Sequence, residues 1–415
     1  MISADSYLFP AAADDYLSVR ALTVRGTDLH IGAALGDLAR RDYHVALAPY
    51  ASPDYGHGRL TYLDRNYPAL GERSRGVADA FGVSSTMAEH DTTTLGFDVP
   101  TQAPGCSLVW FPPALTSTGR PMFGRNMDWF IGSLSAQHGL TPSPDEHPSC
   151  SRAILLTTAP TMGTPVATLG SHDLLNPALD GVNAAGLMMA VLVDHSDRGN
   201  VGASLAGGFT SGLTALQVPG CVLNAATTVA EAKAAVLSQA IFCAGETNMH
   251  WFIADVHGAA TVLEIDGDSR QYRFIDADPD KPFVVTNHAL HRYPTIDSFP
   301  QVPMDAEHNS FVRYRVLTEA IAAHSGPWDP ADITALLDVV QCAYVDDAAA
   351  GIAGTVPERT LWHYVADPVE RRYRFRFYQR DLDPEPGTNH LRIQRTEPIE
   401  WDLGTAIGAG AGGRG

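Results

Sequence analysis

GCSLVWFPPALTSTGRPMFGRNMDW spans residues 105–129. A Gly-Cys pair opens it, and the apolar run Leu108-Val109-Trp110-Phe111 follows. Pro112 to Pro121 is rich in Pro, Ser, Thr and Gly, which marks a turn. Met122-Phe123 then leads into Gly124-Arg125-Asn126-Met127-Asp128. The pattern predicts two strands joined by a turn. Such a hairpin brings Cys106, at the start of the first strand, near Arg125 and Asp128 in the second. That matters because a cysteine thiol is only a few per cent ionised at neutral pH without a cation or base beside it.

Gly105-Cys106-Ser107 together with Gly124-Arg125-Asn126-Met127-Asp128 resembles the N-terminal nucleophile hydrolases of the linear-amide branch. These are the bile-salt and penicillin V hydrolases and the isopenicillin N acyltransferases. The resemblance implies a four-layer α-β-β-α sandwich of class α+β, with two mainly antiparallel sheets. It also implies self-cleavage at Gly105-Cys106, so that Cys106 becomes the first residue of a chain.

Other stretches carry the same resemblance in the family's order. GTDLHIGAALG (26–36) and YPALGERSRGVADAFGV (67–83) are similar to the leader of the acyltransferase branch. DGVNAAGLMMAVLVD (180–194) resembles the family's D-G-x-N-x-x-G-L segment, and Val193 takes the position whose backbone N–H serves the oxyanion. MHWFIADVHGAATVLEID (249–266) resembles an L-H-W-x-I-x-D strand, with His250 read as a core histidine rather than a catalytic one. Val284-Val285-Thr286-Asn287 matches V-x-T-N, which makes the Asn287 side chain an oxyanion donor, and Ser310-Phe311-Val312-Arg313-Tyr314 matches S-x-x-R-[FY], which makes Arg313 the arginine of the site.

Read without the family, the opening residues give only a mixed α/β start. Tyr16–Val24 alternates as a strand, and Ile31, Leu35, Leu38 and Ala39 fall at helical spacing after a Gly26-Thr27-Asp28 turn. Leu70, Ser74, Val77, Ala78 and Phe81 make a second helical stripe, closed by Gly82. Residues 131–152 and 195–213 read as exposed loops, the second suited to a lid. Helices are expected from 229 to about 237, from an opening at Ser310, and at 330–340, and strands at 153–158, 165–170, 283–286, 361–365 and 373–378. With no repeat and no linker, one structural domain is expected. Residues 1–105 form a pro-segment or small subunit packed on a core of 106–415, and the tail from about 404 is disordered.

Composition bounds the function. With 415 residues, 45% hydrophobic and 18% charged, the chain is ample for a large core. A net charge of −19 argues against nucleic acid and anionic membranes as partners. No apolar run approaches the ~18–20 residues that span a bilayer. Met1–Asp5 lacks a basic n-region and an apolar h-region, so no signal peptide is read and the cytoplasm is the expected location. The cysteines at 106, 150, 221, 243 and 342 make neither a disulfide framework nor a CxxC metal knuckle, and all but Cys106 read as small buried hydrophobes.

The expectation is therefore a cysteine amidohydrolase that cleaves a small N-acyl amide through a Cys106 thioester. Its catalytic set is Cys106, Arg125, Asp128, Asn287, Arg313 and the Val193 backbone, with no metal or organic cofactor. Passing the acyl group to an amine is the alternative, and an inactive binding protein on the same fold is a further one. The partners expected are the small substrate and the two cleaved fragments with each other, with homo-oligomers left open. A Ser hydrolase would want G-x-S-x-G and a metallohydrolase H-E-x-x-H, and the sequence has neither.

Overall fold

A computed structural model describes residues 1–12, 14–85, 88–98, 105–197, 199, 211–243, 248–301, 309–352 and 356–408. The chain opens with β1 (Ile2–Tyr7) and β2 (Ser18–Gly26), then helices α1 (Asp28–Asp42), α2 (Pro53–Asn66) and α3 (Pro68–Phe81). The anticipated hairpin is β3 (Cys106–Phe111) and β4 (Met122–Phe130). The short α4 (Leu134–Gln137) precedes β5 (Arg152–Pro160), β6 (Val166–Gly170), β7 (Asp180–Asn183) and β8 (Met188–Asp194). Next come β9 (Leu213–Thr214), α5 (Gln217–Ala225), α6 (Val229–Leu237) and β10 (Ile241–Phe242). β11 (Asn248–Ala254), β12 (Ala260–Ile265), β13 (Tyr272–Asp276) and β14 (Phe283–Val285) follow, then α7 (Ser310–Ala323) and α8 (Pro330–Asp338). β15 (Glu358–Asp367), β16 (Arg372–Pro384), β17 (Leu391–Arg395), β18 (Ile399–Asp402) and α9 (Leu403–Gly408) end the described chain.

Two sheets organise these elements. One runs β1-β2-β5-β6-β7-β8-β11-β12-β13, and the other β14-β3-β4-β15-β16-β17 with β18 also on β16. Every named pair in them is antiparallel except β2–β5. Side-chain alternation then builds the layers. On β3, Leu108 and Trp110 face the other sheet with Phe252, Val262 and Tyr364, whereas Val109 and Phe111 face Leu317, Ile333 and Leu337 of α7 and α8. On β11, Phe252 faces inward and Trp251 and Ile253 turn outward to Ile31, Leu35 and Val77 of α1 and α3 and Val222 of α5. Helices therefore cover both outer faces, and the architecture is the α-β-β-α sandwich of class α+β.

Local chemistry explains the leader-like helices. The Thr27 side chain caps α1 by accepting from His30 N–H, and α3 ends on Gly82 at φ +68°. The two helices cross so closely that a Cβ at Gly32 would overlap Arg73 O and one at Gly76 would overlap Leu29 O. The spaced glycines of 26–36 and 67–83 are thus a packing device.

Some expectations changed. The segment 131–152 is not exposed throughout: α4 interrupts it, and Ser149, Cys150 and Ser151 are buried. Its end is drawn in because Tyr16 Oη donates to Ser149 O at 2.5 Å and Trp129 Nε1 to Ser149 Oγ at 2.9 Å. The expected disordered tail is helical through Gly408, since Leu403 packs into the core between the sheets. Most of the expected lid at 195–213, namely 198 and 200–210, lies outside the described residues, as does 409–415. Among the described residues, no helix is long and apolar enough to cross a membrane.

Candidate active site

The start of β3 and the facing part of β4 form the floor of the site. Cys106 pairs with Met127 and Leu108 with Arg125 across the hairpin, so Cys106 and Arg125 share the face that looks toward the other sheet. Arg125 Nη2 donates to Cys106 Sγ at 3.3 Å. Its guanidinium is fully buried and paired with Asp180, and it also donates to Leu179 O and Val191 O. Asp180 in turn accepts from Trp362 Nε1 at 2.9 Å and Tyr364 Oη at 2.7 Å. A charge this deep needs such a partner, because an unpaired guanidinium inside a protein would cost several kcal/mol.

The peptide between Gly105 and Cys106 is held at every polar atom. Gly105 N–H donates to Glu358 Oε1 at 2.8 Å, and Gly105 O accepts from Asp128 N–H at 3.0 Å. Cys106 N–H donates to Asn287 Oδ1 at 2.6 Å, and Cys106 O accepts from Arg313 Nη1 at 2.6 Å. Arg313 Nη2 also donates to Asn287 Oδ1 at 2.7 Å. Arginine cannot accept, which fixes the oxygen of the Asn287 amide on that side. Its Nδ2 therefore faces Val193 O, at 2.6 Å. Val191 N–H reaches Leu179 O, and alternation along β8 puts the Val193 N–H on that same edge.

Burial raises the Cys106 thiol above its ordinary value, and Arg125 opposes this only in part. The sequence-based expectation that Arg125 favours thiolate thus describes one contribution rather than the net result, because desolvation of a largely buried sulfur is larger. Alternation also separates Arg125 from Asp128. The Asp128 carboxylate accepts from Thr360 Oγ1 at 2.5 Å, and its backbone N–H is what touches Gly105.

The loop carrying Asn287 is pinned from behind. Glu264 accepts from Leu290 N–H at 2.7 Å and His291 N–H at 3.0 Å, and pairs with His250 Nδ1 at 2.8 Å. Burial would raise this carboxyl, but the two histidines and the backbone N–H outweigh it and hold Glu264 well below the usual range. His250 is fully buried in this arrangement.

Sequence reasoning missed Asp180 as the partner of Arg125, Glu264 behind Asn287, and Glu358 at Gly105. A carboxylate inside an apolar strand run is the only local signal, and Glu264 in β12 (ATVLEI) carries it, whereas Glu358 stands at the head of β15 beside Arg359. Burial pushes the Glu358 carboxyl up to about 7, with the Gly105 N–H and Arg313 opposing and Asp347 reinforcing. A carboxyl raised in the folded state adds stability that is complete below its unfolded value and is lost as pH rises through the folded one. Glu358→Gln is therefore expected to gain stability relative to the parent between about pH 4.5 and 7, by up to about 3 kcal/mol. Paired urea titrations across that range check this, and a constant difference at all pH values counts against it.

The fold and this buried, polar Cys-Arg-Asn constellation define a class: an α-β-β-α sandwich with a cysteine at the head of an interior strand. Residues 114–312 match the family of linear amide C–N hydrolases, choloylglycine hydrolase family. Over this stretch the chain is similar to the branch that its motifs resemble. The matched residues include Arg125, Asp128, Val193 and Asn287, and stop short of Cys106 and Arg313.

Solved structures similar to the chain include a cysteine-to-alanine mutant of the conjugated bile acid hydrolase from Clostridium perfringens. It is 15% identical, with a TM-score of 0.45, covering 70% of this chain and 97% of that one. An arginine-to-leucine variant of the same hydrolase is 14% identical with a TM-score of 0.44, covering 70% and 97%. Penicillin V acylase from Agrobacterium tumefaciens is 16% identical with a TM-score of 0.41, covering 69% and 84%. No curated protein sequence matches the chain.

Proposed function

We propose that this protein is a self-processing cysteine amidohydrolase that cleaves a small N-acyl amide through a thioester on Cys106. The observation that carries the reading is the Gly105-Cys106 peptide, whose carbonyl accepts from Asp128 N–H while the Cys106 sulfur stands 3.3 Å from Arg125. In the first event Cys106 Sγ bonds to the Gly105 carbonyl carbon and the C–N bond breaks. The thiol proton ends on the Cys106 nitrogen, now an amine. Water then adds to the thioester, giving a Gly105 carboxylate and restoring the thiol. The Asp128 N–H is positioned for the oxyanion of this step, and the new carboxylate is repelled by Glu358 when that group is ionised.

Turnover follows from the freed amine. Its ordinary pKa of about 7.7–8 suits a general base, so it takes the proton of the buried thiol and returns it to the leaving amine of the substrate. Asn287 Oδ1, already on this nitrogen, directs it, and Asp128 adds negative charge to the neighbourhood. Asn287 Nδ2 carries two hydrogens, one of which goes to Val193 O. The second, with the Val193 N–H, receives the substrate oxyanion. Residues 1–105 and 106–415 are the two fragments in this reading, and no cofactor takes part.

Water is the proposed acyl acceptor. The stretches that resemble the acyltransferase leader contain the close crossing at Gly32 and Gly76, a packing feature that names no acceptor. The test is partitioning: cleaved protein receives an N-acyl amide with rising concentrations of added amine. Free acid alone is expected at every concentration. New amide formed at the expense of acid would make the protein a transferase, and no loss of any N-acyl amide across a broad panel would overturn the enzyme reading.

A further inference from the structure

A second cluster of ligating side chains stands apart from Cys106. Cys150 precedes β5, His172 follows β6, and Asp98 lies in the segment that leads toward Gly105. Cys150 Sγ is 3.7 Å from His172 Nε2, and His172 Nδ1 is 3.8 Å from Asp98 Oδ2. One donor atom from each of the three lies within 4.8 Å of the others. Cys150 is fully buried and His172 is 4% exposed. The sulfur accepts from Ser171 Oγ at 3.0 Å, and Asp98 Oδ2 accepts from Cys150 N–H at 2.7 Å. The imidazole leans on Trp129, with ring centroids 4.9 Å apart.

Two observations point beyond an inert core cysteine. Three side chains with metal-ligating atoms, drawn from separate segments, converge on one point, with His172 turned to Cys150 through Nε2. Asp98 and His172 also line a cavity of about 350 Å³ shared with Arg59, Asp91 and Asp173, which offers an entry path and room for a water ligand. Tetrahedral zinc with nitrogen at about 2.0–2.1 Å and sulfur at about 2.3 Å sets those two donors about 3.6 Å apart. The 3.7 Å found here needs almost no adjustment.

We propose that Asp98, Cys150 and His172 form a binding site for a divalent cation of the zinc type, which ties the segment before Gly105 to the body of the chain. A thiolate and an imidazole select zinc over magnesium or calcium, and a carboxylate is acceptable to it. Binding displaces the Cys150 proton to solvent. Burial and the Asp98 charge hold that thiol protonated while no cation is bound, and a dication reverses the balance. Asp98 lies on the N-terminal side of Gly105 and the other two ligands on the C-terminal side. If the chain is cut as proposed above, the cation clips the two fragments together.

The test uses the full-length Cys106→Ala chain, which removes the other reactive thiol. After dialysis against zinc, elemental analysis should find one equivalent of metal, and cobalt substitution should give a thiolate charge-transfer band. Cys150→Ser and His172→Gln, each added to that chain, should weaken zinc binding by at least about 10–100-fold and abolish the band. If Cys150→Ser does not fold, Asp98→Asn and His172→Gln carry the comparison. No stoichiometric zinc, or equal binding in all variants, overturns the site. In the wild type, a chelator should lower the urea needed to part the fragments. Unchanged parting with zinc still bound by Cys106→Ala would overturn the clip and leave the site and the enzyme reading standing.

Discussion

Replacing Cys106 by Ala is expected to leave a single uncut chain and to lower amide turnover by about 10⁶-fold, the usual loss when the nucleophile of a coupled catalytic unit is removed. Intact-mass measurement of the wild type should give two fragments, 1–105 and 106–415. They should stay together under native conditions. β2 is paired along its length with β5, and Ile31, Leu35 and Val77 are buried against Ile154 and Trp251 of the first sheet. Cutting the chain removes one covalent link and leaves this apolar contact in place, where each fully buried side chain contributes about 1.5–3 kcal/mol. A wild type that remains full length and yet hydrolyses amides would refute the N-terminal-nucleophile mechanism. One that remains full length and inactive would instead favour the binding-protein reading.

The second large effect is expected at Asn287. Its amide meets Cys106 N–H and Arg313 through Oδ1 and Val193 O through Nδ2, so it joins Cys106, Arg313 and strand β8. Asn287→Ala should lower kcat by about 10²–10³, or about 3–4 kcal/mol, as loss of one oxyanion donor does elsewhere. KM should move much less, because the donor acts on charge that develops only in the transition state. Arg313 also loses an acceptor while still bonded to Cys106 O and Ser107 Oγ, so a stability loss of about 1–3 kcal/mol should accompany the kinetic one. Steady-state kinetics with a thermal melt separates the two. A kcat near that of the parent would remove Asn287 from the oxyanion site.

Local pattern was enough for most elements. The apolar pairs flanking Pro112–Pro121 announced the β3–β4 hairpin, because period-2 alternation and turn residues are properties of a few neighbouring positions. Thr27 and Gly82 marked the start of α1 and the end of α3, since capping involves atoms within one turn. Where partners were distant, local pattern was silent. Nothing near Arg125 names Asp180, which lies 55 residues away, and nothing near Gly105 names Glu358, 253 residues on. Both partners are chosen by sheet register, which puts β15 beside β4 and stacks β7 over Arg125.

Cys106 was singled out by its own sequence context, and so were Arg125, Asn287 and Arg313. Their convergence on one peptide bond, and the net rise in the thiol rather than a fall, came only from the folded chain. Cys150 shows the same division. In the sequence it is one small buried hydrophobe among four. Its neighbours Asp98 and His172 are set by the segment before Gly105 lying along the end of β6, where Phe97 N–H donates to His172 O at 2.9 Å. Sequence determines what each stretch can become, because propensity, alternation and capping act within a few residues. Which charges are buried together, and therefore which chemistry is available, is decided by contacts between residues far apart in the chain, whose energies exist only once water has been excluded between the layers.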